Sequence, residues 1–185
     1  MISHTISPPR ARDRRIAFAG AVGFAAAVAL ASHAAIPVPG TPVPITLQPL
    51  VVVLAGMWLG PRVGAISMLL YLAAGVVGLP VFAPMGPPGV ARLLGPTGGY
   101  LWAYPVAAWA VGMLCRRASS YAARALAAAA GIAVLYVGGV SQLTLLTGDA
   151  STALRLGALP FAALDLCKAL LAAALAPGAG TRGPD

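Results

Sequence analysis

Polar residues in this chain gather in short clusters, and the stretches between them are apolar on every side. Six such runs cover residues 16–36, 47–59, 63–77, 100–115, 122–147 and 156–176. A helix that is apolar all round sits in the core of a large protein or in a membrane. Strands of a membrane barrel would instead alternate apolar and polar positions, which these runs do not. Lipid offers the backbone no water to bond, so the α-helix is the structure that remains. The pattern predicts an all-α, polytopic membrane protein. Its body is a bundle of six transmembrane helices over 16–176, with a basic tail at 1–15, a short tail at 177–185 and two loops rich in Pro and Gly. The second and third runs fall short of the ~20 residues of a full crossing. Short helices still cross where the bilayer thins, or enter it as re-entrant segments packed in protein.

Composition narrows the function classes. Of 185 residues, 59% are hydrophobic and 9% charged, where a soluble domain carries about 25% charged residues. Mean hydropathy is +0.88. That is too little polar surface to cover a water-soluble globule, which excludes an ordinary soluble enzyme, a disulfide scaffold and a disordered tail.

The formal charge of +8 comes from twelve Lys and Arg against four acids. A nucleic-acid binder gathers such residues on one face or stripe. Here Arg10, Arg12, Arg14 and Arg15 form the one cluster, and the others sit singly or in pairs between apolar runs. Nucleic acid is therefore not an expected partner, whereas a lipid bilayer is. With the N-terminus in the cytoplasm, those four and Arg62, Arg116, Arg117, Arg124 and Arg182 fall inside. Arg92 and Arg155 fall outside, and Lys168 lies within a span. This positive-inside bias puts both termini in the cytoplasm. The first run also fits a secretory signal ending near Ser32, but the five runs after it commit the chain to the membrane in any case.

Two outer loops stand out. Residues 36–49 hold five prolines, which forbid a helix and favour extended backbone. Thr41, Thr46 and Gln48 add hydrogen-bonding groups there, so this stretch reads as a stiff gating or pocket loop. Residues 78–99 form a second, long and apolar loop, of the kind that serves as a lid or binding loop. Its GPTGG segment (95–99) lacks the spacing of a phosphate loop and reads as a tight turn into the fourth helix. Tyr100, at the start of that helix, joins the pocket-loop candidates, with Trp102 and Tyr71 as further possible walls.

The sharpest chemistry is Asp165 and Lys168. They are charged residues inside an apolar run, where each costs roughly 2.5–3.5 kcal/mol at a helix centre. Their three-residue spacing puts them on one helix face. An ion pair there reads as a ligand site, or Asp165 as a proton relay in a solitary secondary transporter. Arg92, in the second loop without an acidic neighbour in sequence, can hold a carboxylate bidentately. Ala27, Ala31 and Ala35 make a small-residue row along the first helix, a possible partner-docking face. Cys115 and Cys167 are isolated, so neither a disulfide nor a metal site is expected. The Gly139–Gln142 segment lacks the second glycine of a nucleophile turn, because Leu143 stands there. No catalytic constellation is present, and an enzyme is not expected.

Four segments in this order, TPVPITLQ (41–48), LAGMWLGPRVGAISMLLYLAAGVVGLPVFA (54–83), LLGPTGGYLWAYP (93–105) and LPFAALDLCKALLAA (159–173), resemble the BioY family. These are the biotin-specific substrate-binding components of energy-coupling-factor transporters. The resemblance runs from about residue 16 to 176. It implies a six-helix bundle in the prokaryotic plasma membrane that captures biotin near the outer face. It implies docking onto a membrane coupling subunit and two cytoplasmic ATPases, so that ATP is used by partners and this chain needs no cofactor. Matched to the family's motifs, Asp165 and Lys168 correspond to its ligand-binding pair and Arg92 to its loop arginine. The alanine row on the first helix gains weight as the docking surface. Some members carry a polar amide near Ala83, where this chain has Ala83-Pro84.

Overall fold

The computed structural model describes residues 11–177; Arg10, Arg182 and the outer parts of both tails lie outside the described residues. Seven helices follow in order: α1 (Ala11–His33), α2 (Gln48–Val76), α3 (Val90–Leu94), α4 (Gly98–Cys115), α5 (Tyr121–Thr147), α6 (Ala150–Gly157) and α7 (Ala162–Leu175). Three stretches are long and apolar enough to cross a membrane, Arg12–His33, Gln48–Val76 and Tyr121–Thr147. The pair α6 and α7, bent by 54°, makes a fourth when taken as one span.

Local chemistry sets most of the ends. Helix α1 stops just before Pro37 and Pro39, whose rings force extended backbone on themselves and their predecessors. The proline loop then closes on itself through an isolated antiparallel bridge: Ile36 N donates to Ile45 O at 2.8 Å, and Ile45 N to Ile36 O at 2.9 Å. Helix α5 begins at a Ser120 cap that accepts from Ala123 N, and ends at left-handed Gly148 (φ 74°). Asp149 caps α6 by accepting from Ser151 N and Thr152 N; the side chains of Thr152 and Ser151, and then these two N–H groups, hold its carboxyl well below the usual range.

The runs at 47–59 and 63–77, expected as separate helices, are the two arms of α2, parted at Gly60 (φ 76°, ψ 177°) beside Pro61. The arms fold back on one another. Gln48 Nε2 donates to Tyr71 Oη at 2.8 Å, whereas a straight helix would hold residues so far apart in sequence about 34 Å from each other. A Cβ on Gly64 would stand 3.0 Å from the Ala55 carbonyl oxygen, so the arms touch near the bend as well. One expectation is corrected: 156–176, expected as a single helical run, is not one helix. It is broken at 158–161 into α6 and α7, because Pro160 has no N–H and disfavours helix at Leu159. The loop 78–99 also differs in detail, since it contains the short helix α3.

Helix α2 packs on α1 and α4, α4 on α5, and α7 on α5 and α2. Small residues permit close approach: a Cβ on Gly99 of α4 would stand 2.1 Å from the Gly138 carbonyl oxygen of α5. Val28, Val52, Met68, Tyr71, Ala107 and Leu135 fill the core. The outward surface carries Phe18, Leu30, Trp109, Val137 and Leu145, the belt a bilayer requires.

Candidate functional site

One end of the bundle holds a cavity that is open on one side. Its walls come from the proline loop (Val43, Ile45, Thr46), both arms of α2 (Gln48, Tyr71), the second loop (Phe82, Ala83, Arg92), α4 (Tyr100, Tyr104), α5 (Leu135, Tyr136) and α7 (Asp165, Lys168). The two Pro- and Gly-rich loops and the Asp165–Lys168 pair thus meet in one place.

The aromatic wall is built in layers. Tyr71 stacks on Tyr104 with ring centroids 6.1 Å apart and meets Phe82 edge-on at 5.5 Å. Phe82 in turn fits against Gly75, where a Cβ would lie 2.0 Å from the ring. Ser32 of α1 fixes that loop from behind, its hydroxyl 2.7 Å from both the Val81 and Ala29 carbonyls. Tyr100 occupies a slot between two glycines. A Cβ on Gly139 would come 2.0 Å from its Cζ, and one on Gly157 would come 2.5 Å from its hydroxyl. The hydroxyl donates to the Gly157 carbonyl at 2.6 Å.

The polar groups converge on the same space. Lys168 Nζ donates to Asp165 Oδ1 at 2.6 Å, and Tyr136 Oη donates to Asp165 Oδ2 at 2.6 Å. Asp165 is 5% exposed. Arg92 is 6% exposed. It donates from Nη2 to the Ala83 carbonyl, and its Nε is buried without a partner. Burial lowers the Arg92 pKa from its ordinary value, yet an arginine keeps its charge at neutral pH. A buried cation held by a neutral carbonyl is incompletely compensated. One acid against two bases leaves the lining with an excess positive charge, suited to an anionic ligand.

A scan of family models matches the BioY family over residues 7–184. The chain belongs to the BioY family. A BioY protein of Pyrococcus horikoshii, a probable biotin transporter, is 41% identical over 135 residues, covering 73% of this chain and 79% of that one. The biotin transporter BioY of Thermotoga maritima is 37% identical over 141 residues, covering 76% and 83%. Among solved structures, the S-component for biotin from an ECF-type ABC transporter superposes with a TM-score of 0.83 at 26% identity. That match covers 91% of this chain and 92% of the other.

The remaining sequence candidates of this BioY chain fall as follows. Thr46, Gln48 and Tyr100 line the cavity. Thr41 does not; its hydroxyl donates to the Leu156 carbonyl at 2.6 Å and ties the proline loop to the end of α6. Trp102 points outward, 55% exposed. In the alanine row, Ala31 is buried in the chain's own packing and Ala27 and Ala35 are half-buried, so the row presents no continuous free face. The freely exposed small residues of α1 are Ala19, Gly23 and Ala26. Gln142, beside the incomplete nucleophile motif, donates to the carbonyls of Leu93 and Gly95 and steadies the loop that carries Arg92. Sequence reasoning missed Tyr136 and Tyr104. Tyr136 is the one phenol in the interior of an Ala-, Gly- and Val-rich helix whose other tyrosine, Tyr121, stands at its first position, and that is the signal that could have singled it out.

Proposed function

We propose that this chain is the membrane-embedded capture subunit of a biotin transporter, binding biotin at the outer face and delivering it inward at the expense of ATP hydrolysed by partner subunits. The observation that carries this reading is the cavity itself. An aromatic and aliphatic wall surrounds one acid and two bases, at least one of them without a charged partner. Biotin has the matching parts: an apolar bicycle and chain, a ureido group with two N–H donors and one oxygen, and a carboxylate. Membership of the BioY family, whose relatives are biotin transporters, supports the same ligand.

In this reading Asp165 accepts a ureido N–H, while Lys168 and Arg92 divide the ureido oxygen and the carboxylate between them. Thr46 and Gln48 border the ligand from the proline loop, and Tyr100 walls it. Thr41 keeps the loop closed, and its prolines lessen the ordering cost of closure. The fold-back of α2 supports counting its arms separately. With α1, α4, α5 and the α6–α7 pair this makes six crossings, with both termini on the cytoplasmic side of the plasma membrane. A membrane coupling subunit and two ATPases complete the assembly. The exposed Gly23 and Ala26 of α1, bordered by Ala27, support close helix–helix docking there.

A solitary proton-coupled carrier built on Asp165 is the weaker reading. Both carboxylate oxygens are engaged, and no second acid lines the cavity among the described residues. The deciding experiment is equilibrium binding of labelled biotin to the detergent-purified chain, with unlabelled biotin and thiamine as competitors. Saturable binding displaced by biotin and not by thiamine is expected. A folded sample that binds no biotin overturns the proposal.

A further inference from the structure

We propose that Tyr136 is a specificity-determining residue of this cavity whose hydroxyl oxygen accepts one N–H of the bound ligand. The inference rests on the biotin reading and assigns the second acceptor that a ureido group requires. A tyrosine hydroxyl has one hydrogen and two lone pairs. An ionised carboxylate only accepts, so the contact between Tyr136 Oη and Asp165 Oδ2 at 2.6 Å consumes the hydrogen. That length is typical of a charge-assisted bond, which fixes the direction of donation. The lone pairs of Tyr136 stay available, and the residue lines the cavity beside Asp165 and Lys168. The cluster therefore offers acceptors on two separate side chains next to one cation. Lys168 spends one of its three hydrogens on Asp165 Oδ1 and keeps donors for a ligand oxygen. Two acceptors beside a cationic donor complement a urea, whose two N–H groups flank one carbonyl. A cluster built only to neutralise Asp165 would be complete with Lys168; a phenol from α5, 29 residues away in sequence, adds a group that a ligand can use.

Tyr136→Phe keeps the ring and removes the oxygen. Its affinity for biotin is expected to fall about tenfold, the scale of one hydrogen bond to a buried polar group. The same variant is then measured by competition against two biotin analogues, each methylated on one of the ureido nitrogens. The penalty is expected to persist for one analogue and vanish for the other, which lacks the N–H that Tyr136 accepts. An unchanged biotin affinity in a folded Tyr136→Phe chain, or an equal loss for biotin and both analogues, overturns the proposal and leaves Tyr136 as a support for Asp165 alone. Where methylation abolishes binding to the unsubstituted chain, biotin labelled with nitrogen-15 on both ureido nitrogens decides. One N–H resonance of the bound ligand shifts in Tyr136→Phe if the proposal holds, and neither or both alike if it does not. Absence of biotin binding to the unsubstituted, folded chain would instead sink the biotin reading itself.

Discussion

Gln48 and Tyr71 share a hydrogen bond of 2.8 Å, from the first residue of an apolar helical element to a ring near its other end. The bond brings the proline loop to the aromatic wall and exists only because the element reverses at Gly60. At φ 76° and ψ 177°, Gly60 occupies a backbone region that is open essentially to glycine.

Gly60→Ala is accordingly expected to destabilise the fold by about 1–3 kcal/mol. The check is the apparent melting temperature in detergent, which should fall while any biotin binding by the remaining folded fraction keeps its affinity. An unchanged melting temperature would show that the bend tolerates a side chain.

Asp165→Asn should weaken biotin binding by at least tenfold and also lower stability, because Lys168 then carries a buried charge without its partner. Removing one member of such a pair costs about 3–5 kcal/mol. Replacing both, in Asp165→Asn with Lys168→Met, is expected to restore most of the stability and none of the binding. Melting and equilibrium binding of the three chains separate the structural role from the ligand role.

Gly139→Ala places a methyl within 2.0 Å of the Tyr100 ring and displaces it from its slot. Biotin affinity should drop more than in Tyr100→Phe, which loses only the bond to the Gly157 carbonyl. The reverse order, from titrations of both variants, would mean that the hydroxyl matters more than the position of the ring.

Thr41→Val removes the bond from the proline loop to the Leu156 carbonyl, worth about 1 kcal/mol. A loop held less firmly should release ligand several-fold faster, with little change in association. Dissociation of labelled biotin after a chase with unlabelled biotin measures this directly. An unaltered off-rate would remove Thr41 from the closure of the cavity.

Much of this molecule was legible before any coordinates. Lipid rejects unpaired backbone and charge so strongly that apolar runs and the few charges inside them stand out as soon as the residues are read. Asp165 and Lys168 were found in that way and Arg92 as a lone cation in an apolar loop, and the cavity brings all three together. The helix bounds were less secure where Gly and Pro act. Gly60-Pro61 parts two helices as the runs suggested, whereas Pro160, read as lying inside one run, ends a helix. Tyr136 was invisible as a site residue, since an aromatic residue in an apolar helix usually serves the core.

The sequence by itself determined the helical membrane class, the charge asymmetry, the stiffness of the proline loop and the short list of charged candidates, because each follows from composition or from neighbours along one helix. Tertiary structure alone decided that Gln48 meets Tyr71 across the reversal, that Tyr100 sits between Gly139 and Gly157, and that Tyr136 reaches Asp165. Those relations join residues 23 to 57 positions apart, and local periodicity states which face of a helix is apolar without stating which distant side chain will meet it.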